Sequence, residues 1–576
     1  MQDRFVLKRS HSTLSSLRHL RTQILALSGL KPVLYDCCKD SCVCFAGPFA
    51  DLTACPDCGA PRKTSAGAPQ NTFEFLPPIP QFRALFCDPE ACKAMQYWHN
   101  YSEDPSKISD IFGGKRYQEL RHTQVEVDGV RQPFKFFEDH HEVALGVSAD
   151  GMCPFKKRKK SCWPLILVNY NLPPEERTHV DNLICVGVIP GPKSPTNMSS
   201  FLWPLIEQLL ELATGVTTVD ILSKELFLMR AHLLAIFGDI PAISKLLEFL
   251  GHNACFPCRF CMIMSIRGFT SSGGSHLYCP LHRTEAPLFD PFNLPLRTHE
   301  ATIQKGFEIL EAPTDAARTR LATGSGVKGI SALSRVPSVS VPISFPIDIM
   351  HMIFLNLFPQ LMDIWTGHFH ELDQGSEQYL IDKELWKALG ETIGASGATI
   401  PSLFGCCVPN LALPSHGNAN AEAWNMFGLY IAPYLLQRRF RKPKYYRHFV
   451  SLIKLLKQAT SYDLPRAEIP ALREGITEWI QDFEGYYYQY NPNRMEVCTV
   501  NIHYLLHLVD AIEQLGLPGG YWSFLMERFC SLVGFVVKSR RFPFENISRN
   551  IRDQMQLKVL RHLYGSHGSL GFLREN

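Results

Sequence analysis

Two apolar stretches of this chain are each followed closely by an aspartate. This pairing limits both the folds that the chain can adopt and the chemistry that it can perform. Residues 142–147 lead to Asp150, and residues 235–237 lead to Asp239. Both stretches have the composition of buried strands. A carboxylate at the end of such a strand is well placed to bind a divalent cation, because Mg²⁺ prefers hard oxygen donors in a fixed geometry. Either aspartate alone is also typical of a turn. The surrounding motifs are therefore needed to distinguish a metal ligand from a turn residue.

Composition indicates a large chain with several buried cores. It has 576 residues, of which 45% are hydrophobic, and no apolar run long enough to cross a membrane. The N-terminus lacks the layout of a signal peptide, so the 19 cysteines are predicted to be reduced and the clustered ones to bind metal. Since the net charge is only +3, binding to nucleic acid would depend on local basic patches.

Cysteine spacing predicts a first zinc site. Cys38 and Cys42 are followed by the Cys-Pro-Asp-Cys-Gly motif that holds Cys55 and Cys58. Four thiolates in two pairs suit tetrahedral structural zinc, and the motif is typical of a zinc ribbon. Neighbouring Cys37 and Cys44 stay open as alternative ligands.

Residues 140–250 predict an α/β core. Apolar strands are expected at 163–168 and 183–189, an amphipathic helix at 201–212, and a further strand at 226–234. One acidic residue after the first strand and another after a later strand fit a nuclease-type sheet.

These motifs together resemble the Tnp2-type transposases of the CACTA superfamily, of the kind found in fungi. The resemblance rests on short motifs in a fixed order: Asp150-Gly, Ser161-Cys-Trp-Pro, Asn171-Leu-Pro-Pro, Ile189-Pro-Gly-Pro-Lys, Asp239-Ile-Pro-Ala, Asp348-Ile-Met-His and Met526-Glu-Arg-Phe-Cys. It implies a ribonuclease-H-like DDE core interrupted by a large, mainly helical insertion and preceded by a small zinc-ribbon-like module. It also implies that Asp150 and Asp239 are the first two catalytic carboxylates.

A second zinc site is expected between distant parts of the chain. Cys258 and Cys261 follow the second aspartate, and His503 and His507 lie four residues apart, which places both on one face of a helix. Together they complete a Cys₂His₂ set. A local alternative, in which Cys279 and His282 replace the histidine pair, stays open.

The third carboxylate has three candidates: Asp348, Glu513 and Glu527. The Cys₂His₂ arrangement resembles the catalytic core of the V(D)J recombinase, in which paired histidines precede the glutamate, and this favours Glu527. Asp348 and His351 lie one helical turn apart, and either a helix cap or an accessory active-site role fits them.

The predicted organisation follows from these assignments. It comprises 1–34 as an N-terminal segment, 35–62 as the zinc-ribbon-like module, 63–140 as a connector, 141–284 as the first part of the core, 285–497 as the helical insertion and 498–576 as the last part of the core. Within the insertion, residues 312–342 are rich in small and polar residues and are predicted to be a flexible loop.

Three basic segments predict contacts with double-stranded DNA, both transposon ends and target. The candidate residues are Lys156, Lys157, Arg158, Arg438, Arg439, Arg441, Lys442, Lys538, Arg540 and Arg541. The second segment interleaves aromatic residues, which suggests base stacking. The first also has the composition of a nuclear-import signal, so the protein is expected in the nucleus. Homo-oligomerisation stays open.

The predicted reaction is phosphoryl transfer with two Mg²⁺ or Mn²⁺ ions about 3.5–4 Å apart, held by three carboxylates. Two other classes remain: a domesticated transposase that binds DNA or protein without cutting, and a zinc-stabilised scaffold whose aspartates are turns. The enzyme requires the three carboxylates to converge, whereas the scaffold does not.

Overall fold

The structure is a computed structural model. It describes residues 16–102, 104–155, 160–269, 275–283, 288–370, 372–401, 405–535, 537 and 539–565. No helix within these ranges combines the length and the apolar character needed to cross a membrane.

The strands concentrate in the first half of the chain. They are β1 Val33–Cys37, β2 Asn71–Phe75, β3 Lys107–Ile108, β4 Gln124–Val127, β5 Val130–Lys135, β6 Val143–Ala149, β7 Trp163–Asn169, β8 Ile184–Ile189, β9 Val216–Asp220, β10 Glu225–Met229, β11 Ala231–Phe237, β12 Ile266–Phe269, β13 Ser275–Tyr278 and β14 Leu464–Pro465.

Six of these strands form the main sheet, in the order β1-β2-β8-β7-β6-β11. The strands β6, β7 and β8 pair antiparallel, whereas β11 runs parallel to β6 on its other side. Every residue of these four strands is buried, because helices cover the sheet. The strand β1 lies at one edge of the sheet and β2 lies between it and β8. The strand β1 spans the predicted boundary between the N-terminal segment and the zinc module, and β2 comes from the predicted connector.

Helices dominate the second half of the chain. The α-helices are α1 Leu17–Ser28, α2 Pro78–Phe86, α3 Pro89–Ala94, α4 Tyr97–Asn100, α5 Lys115–His122, α6 Pro174–Arg177, α7 Met198–Thr214, α8 Ile240–Leu246, α9 His299–Leu310, α10 Asp315–Thr323, α11 Phe358–Thr366, α12 Lys383–Ser396, α13 Ala421–Met426, α14 Ala432–Leu435, α15 Pro443–Ala459, α16 Ile469–Phe483, α17 Val500–Tyr504, α18 Leu508–Leu515, α19 Phe524–Phe535 and α20 Pro543–Tyr564. Three π-helices, Met350–Leu357, Phe427–Ile431 and Glu484–Tyr488, interrupt this series.

The apolar residues form two large cores. The first surrounds the main sheet and includes α7, which packs on β11, and α20, which packs on β8. The buried face of α19 belongs to this core, so a helix from the end of the chain lies against the sheet. The second core joins the helices of the second half and contains Cys258 and Cys261.

The expectation of a flexible loop at 312–342 is wrong. This segment contains α10, which begins at the cap Thr314, whose hydroxyl accepts a hydrogen bond from the amide of Ala317. Farther along, the Ser331 hydroxyl donates to the carbonyl of Leu246, and Leu333 is fully buried. Small polar residues are common in loops, but here they cap a helix and fit against the sheet core.

Candidate active site

The two strand-end aspartates lie at the same edge of the main sheet. Asp150 follows β6 directly, and Asp239 follows β11 after one intervening glycine. Because β6 and β11 are parallel neighbours, with Phe237 opposite Ser148, their carboxyl ends meet. Gly238 permits this close approach, since a Cβ there would lie 2.9 Å from the carbonyl oxygen of Ala149.

Local hydrogen bonds orient both carboxylates. Asp239 is the N-cap of α8, and its Oδ1 accepts the backbone amide of Ala242 at 2.6 Å. The Oδ1 of Asp150 accepts the amide of Gly151, also at 2.6 Å. Each carboxylate therefore keeps its second oxygen for another partner.

Glu527 reaches this edge from the other end of the chain. It lies in the first turn of α19 and is exposed. Asp150, His351 and Glu527 each offer one ligand atom, and these atoms all lie within 4.8 Å of one another. Asp239 is the neighbour of this trio across the sheet edge, and its charge acts on Asp150.

His351 comes from the π-helix Met350–Leu357 and is oriented by Asp348. The buried Asp348 carboxylate accepts a short hydrogen bond from Nδ1 of His351. The other oxygen of Asp348 accepts the amide of Ser523 at 2.9 Å, just before α19 begins. One carboxylate therefore links the helix of His351 to the helix of Glu527.

Electrostatics mark this cluster as crowded with negative charge. Burial, and then the charge of Asp239, raise the pKa of Asp150 to about 7. The pKa of Asp239 is also raised, mainly by burial. Burial alone would lower the pKa of His351, but the hydrogen bond to Asp348 and the nearby carboxylates outweigh it and raise this pKa to about 9. Groups with such shifts cluster at functional sites.

The donor set fits a divalent cation. Carboxylate oxygens that repel one another are brought together at one point, and a cation would relieve this repulsion. A cleft of about 290 Å³ opens beside Asp239, with His252, Arg259 and Asn501 on its walls. It leaves space for a substrate group next to the carboxylates.

The four predicted cysteines of the first zinc site are gathered together. The Sγ atoms of Cys38, Cys42, Cys55 and Cys58 lie within 4.8 Å of one another, and Cys38 and Cys58 are 3.5 Å apart. Cys58 is exposed and the other three are buried. This arrangement can hold a structural zinc ion.

The second predicted set also converges. Cys258, Cys261, His503 and His507 are all buried, and their ligand atoms lie within 4.8 Å of one another. Cys261 Sγ is 3.2 Å from His503 Nε2. The Nε2 of His507 is buried without a hydrogen-bond partner among the described residues, as expected for a nitrogen that would bind a metal ion.

Outer partners support this Cys₂His₂ set. Asp510 lies 3.5 Å from Nδ1 of His507, and Arg473 donates to Asp510 at 2.6 Å. A carboxylate behind a histidine is the usual second layer of a zinc site. The local alternative does not form: Cys279 and His282 are outside the set, and the His282 ring packs against Tyr490 instead.

Part of the chain matches a known protein family. A family model described as Transposase family tnp2 matches residues 123–281. This segment is similar to the tnp2 transposase family. The predicted Tnp2 resemblance is thus confirmed for the part of the chain that carries Asp150, Asp239, Cys258 and Cys261. No curated protein matches the chain.

Partners from outside the Tnp2 segment complete both clusters. His351, His503, His507 and Glu527 all follow residue 281. The other candidates for the third carboxylate lie elsewhere or have another role. Glu513 is held by Lys115 and Arg473 at 2.8 and 2.7 Å, whereas Asp348 is buried behind His351.

The predicted DNA contacts are partly visible. Exposed side chains in the described ranges include Arg438, Arg439, Arg441, Lys442, Arg540 and Arg541. Lys156, Lys157, Arg158 and Lys538 lie outside the described residues. Of the three aromatic residues in the second segment, Phe440 and Tyr445 are buried in the helical core and are not available to stack on bases, whereas Tyr446 is half-buried.

Sequence reasoning missed one cluster. Asp139, His140 and His141 have ligand atoms within 4.8 Å of one another, and His141 lies between Asp139 and Asp220, at 2.8 and 3.4 Å. Three consecutive residues of ligand type just before β6 were the available signal.

Proposed function

We propose that this chain is a DDE-type DNA transposase of the CACTA superfamily, of fungal type. In this proposal Asp150, Asp239 and Glu527 would hold the cations for cutting transposon ends and joining them to target DNA. The position of Asp150 and Asp239 at one edge of β6 and β11, with Glu527 within ligand distance of Asp150, supports the proposal, because a scaffold with turn aspartates has no need of this arrangement.

A ribonuclease-H-like core is part of the proposal. Strand order and direction support it, since three antiparallel strands, β8-β7-β6, are followed by β11 parallel to β6. The helix α19 packs on this sheet and carries the third carboxylate, while the intervening residues form the mainly helical insertion.

The roles of the side chains follow from their surroundings. The charges of Asp239 and Glu527 both act on Asp150, so these three carboxylates would together hold the cations. The chemistry that bound Mg²⁺ or Mn²⁺ would supply is activation of water or of a DNA 3′-hydroxyl and stabilisation of the leaving 3′-oxygen. The α8 N-cap and the amide of Gly151 keep the two aspartates in place.

Two zinc ions and local basic surfaces complete the proposal. Zinc on the cysteine set would stabilise the small N-terminal module. Zinc on the Cys₂His₂ set would tie the segment after α8 to α17 and the turn Leu505–His507, which precede α19. The exposed basic residues before α15 and before α20 are proposed to contact the DNA backbone in the nucleus.

The test is Mg²⁺- or Mn²⁺-dependent nicking and strand transfer on DNA that carries the element's own ends. Asp239→Asn and Glu527→Gln should abolish both reactions without loss of DNA binding. Glu308→Gln is the matched control, because this carboxylate pairs with Lys305 on the same helix and belongs to no metal cluster among the described residues. Equal cleavage by wild type and variants would refute the assignment. Retained DNA binding without any cleavage by the wild type would favour the domesticated alternative.

A further inference from the structure

His351 occupies a position that the three-carboxylate scheme leaves without a role. Its ligand nitrogen lies within 4.8 Å of the ligand oxygens of Asp150 and Glu527. Since Nδ1 is engaged by Asp348, Nε2 is the nitrogen available to these carboxylates. A simple helix-capping role for Asp348 explains the Nδ1 contact, but it does not explain why the far side of the ring meets two acidic residues.

We infer that His351 is a metal ligand, through Nε2, to a cation that it shares with Asp150 and Glu527. This inference rests on the proposed function for the identity of the site. An imidazole nitrogen suits transition-metal ions, whereas Mg²⁺ prefers oxygen ligands and keeps several waters. The Asp150–His351–Glu527 position therefore selects an ion of the Mn²⁺ class over Mg²⁺.

The scaffold around His351 is built to hold the ring in one orientation. Asp348 is 4% exposed, and its two oxygens bind Nδ1 of His351 and the amide of Ser523. A carboxylate behind a ligating histidine sets the tautomer and the ring orientation. Asp348 is thus a positioning residue, and it couples His351 to the start of α19.

The backbone at His351 has an unusual form that fits this role. The segment Met350–Leu357 is a π-helix that continues directly into α11. Wide helical turns of this kind are rare and occur often at functional sites. Here the wide turns begin beside His351, whose ligand nitrogen lies within 4.8 Å of the ligand oxygen of Asp150.

The experiment uses Mn²⁺ bound to the full chain without DNA. Pulsed electron paramagnetic resonance should detect coupling of Mn²⁺ to a histidine nitrogen in the wild type. His351→Gln should remove this coupling and weaken Mn²⁺ binding at least about tenfold. His351→Asp should retain ion binding but shift the preference toward Mg²⁺. His416→Gln is the matched control, because His416 is also partly buried and pairs with Asp363 at 3.1 Å, but belongs to no metal cluster among the described residues.

Asp348→Asn provides a second route if the His351 variants fold poorly. It should weaken Mn²⁺ binding about 10-fold or more while the nitrogen coupling persists or broadens. Wild type that binds no Mn²⁺, or binds it without nitrogen coupling, overturns the inference, as does a coupling that survives His351→Gln.

Failure of the inference and failure of the proposed function give different results. If nicking depends on Asp239 but no histidine coupling is detected, only the inferred role of His351 is refuted. If histidine coupling is detected but the protein does not cut DNA, the metal site is supported and the proposed transposase activity is refuted.

Discussion

Replacing Asp239 with asparagine should stabilise the protein in the absence of Mg²⁺ and abolish its stabilisation by Mg²⁺. Asparagine retains a side-chain oxygen that can accept the amide of Ala242, so the stabilisation of α8 by its N-cap should change little. It removes the negative charge that faces Asp150. The variant therefore isolates the electrostatic cost of bringing two carboxylates to one sheet edge.

The size of the effect follows from the pKa of Asp150, which is raised from 3.8 to about 7. This shift corresponds to a penalty of about 4 kcal/mol on the ionised form. Burial is the larger cause of this shift, and the charge of Asp239 is the second. Removing the charge of Asp239 should therefore raise the free energy of unfolding by about 1–2 kcal/mol. Asp239→Ala loses the cap as well, at a cost of about 1 kcal/mol, and should remain close to wild type.

The pH dependence has a defined sign. Because the pKa of Asp150 in the folded state lies above its ordinary value, the folded protein binds more protons than the unfolded chain between pH about 4 and about 7. Stability of the metal-free wild type should fall as pH rises through this window. The gain from Asp239→Asn should be full above about pH 7 and disappear below about pH 4.

Thermal unfolding with and without added Mg²⁺, at several pH values and without a chelator, measures these effects. The asparagine variant should unfold at a higher midpoint than wild type when Mg²⁺ is absent, and only the wild-type midpoint should rise on addition of Mg²⁺. Lower stability of the variant without Mg²⁺, or an equal rise in both proteins, would refute the electrostatic argument.

Three further outcomes test other parts of the molecule. Cys258→Ser and Cys55→Ser should each lower zinc content, measured by mass spectrometry of the metal, by about one equivalent per chain; unchanged content excludes the corresponding site. Burial lowers the pKa of His448 from 6.5 to about 4, so about 3 kcal/mol of stability should be lost as pH falls from about 6.5 to about 4. His448→Phe should remove this loss from urea unfolding, and an unchanged pH profile would contradict it. Four exposed basic residues can be replaced together by glutamine: Arg438, Arg439, Arg441 and Lys442. This should reduce the slope of log K for DNA binding against log salt concentration by about three to four, and an unaltered slope would exclude DNA contact at these positions.

Several features were predictable because they depend on short stretches of sequence. Apolar runs that end in aspartates predicted β6 and the end of β11. Cysteine and histidine spacing predicted both clusters, since a tetrahedral site needs four ligands and each pair supplied two. The buried character of the central strands was also apparent from their apolar composition.

Predictions from composition failed where tertiary packing determined the environment. Small polar residues at 312–342 suggested a loop, but α10 forms there because Thr314 caps it and its neighbours pack on the sheet core. Phe440 and Tyr445 suggested stacking surfaces, but the helical core buries both rings. Composition does not distinguish an aromatic residue that meets solvent from one that fills a core.

The sequence alone determined which residues could supply ligands and which strands would carry the first two of them. Only the tertiary structure decided which distant groups meet there. His351 and Glu527 lie far from Asp150 along the chain, and they reach it because α19 packs into the core around the sheet and Asp348 joins its start to the π-helix that carries His351. Such contacts depend on the packing of whole elements, which no local pattern encodes, whereas strand ends and ligand pairs follow from neighbouring residues.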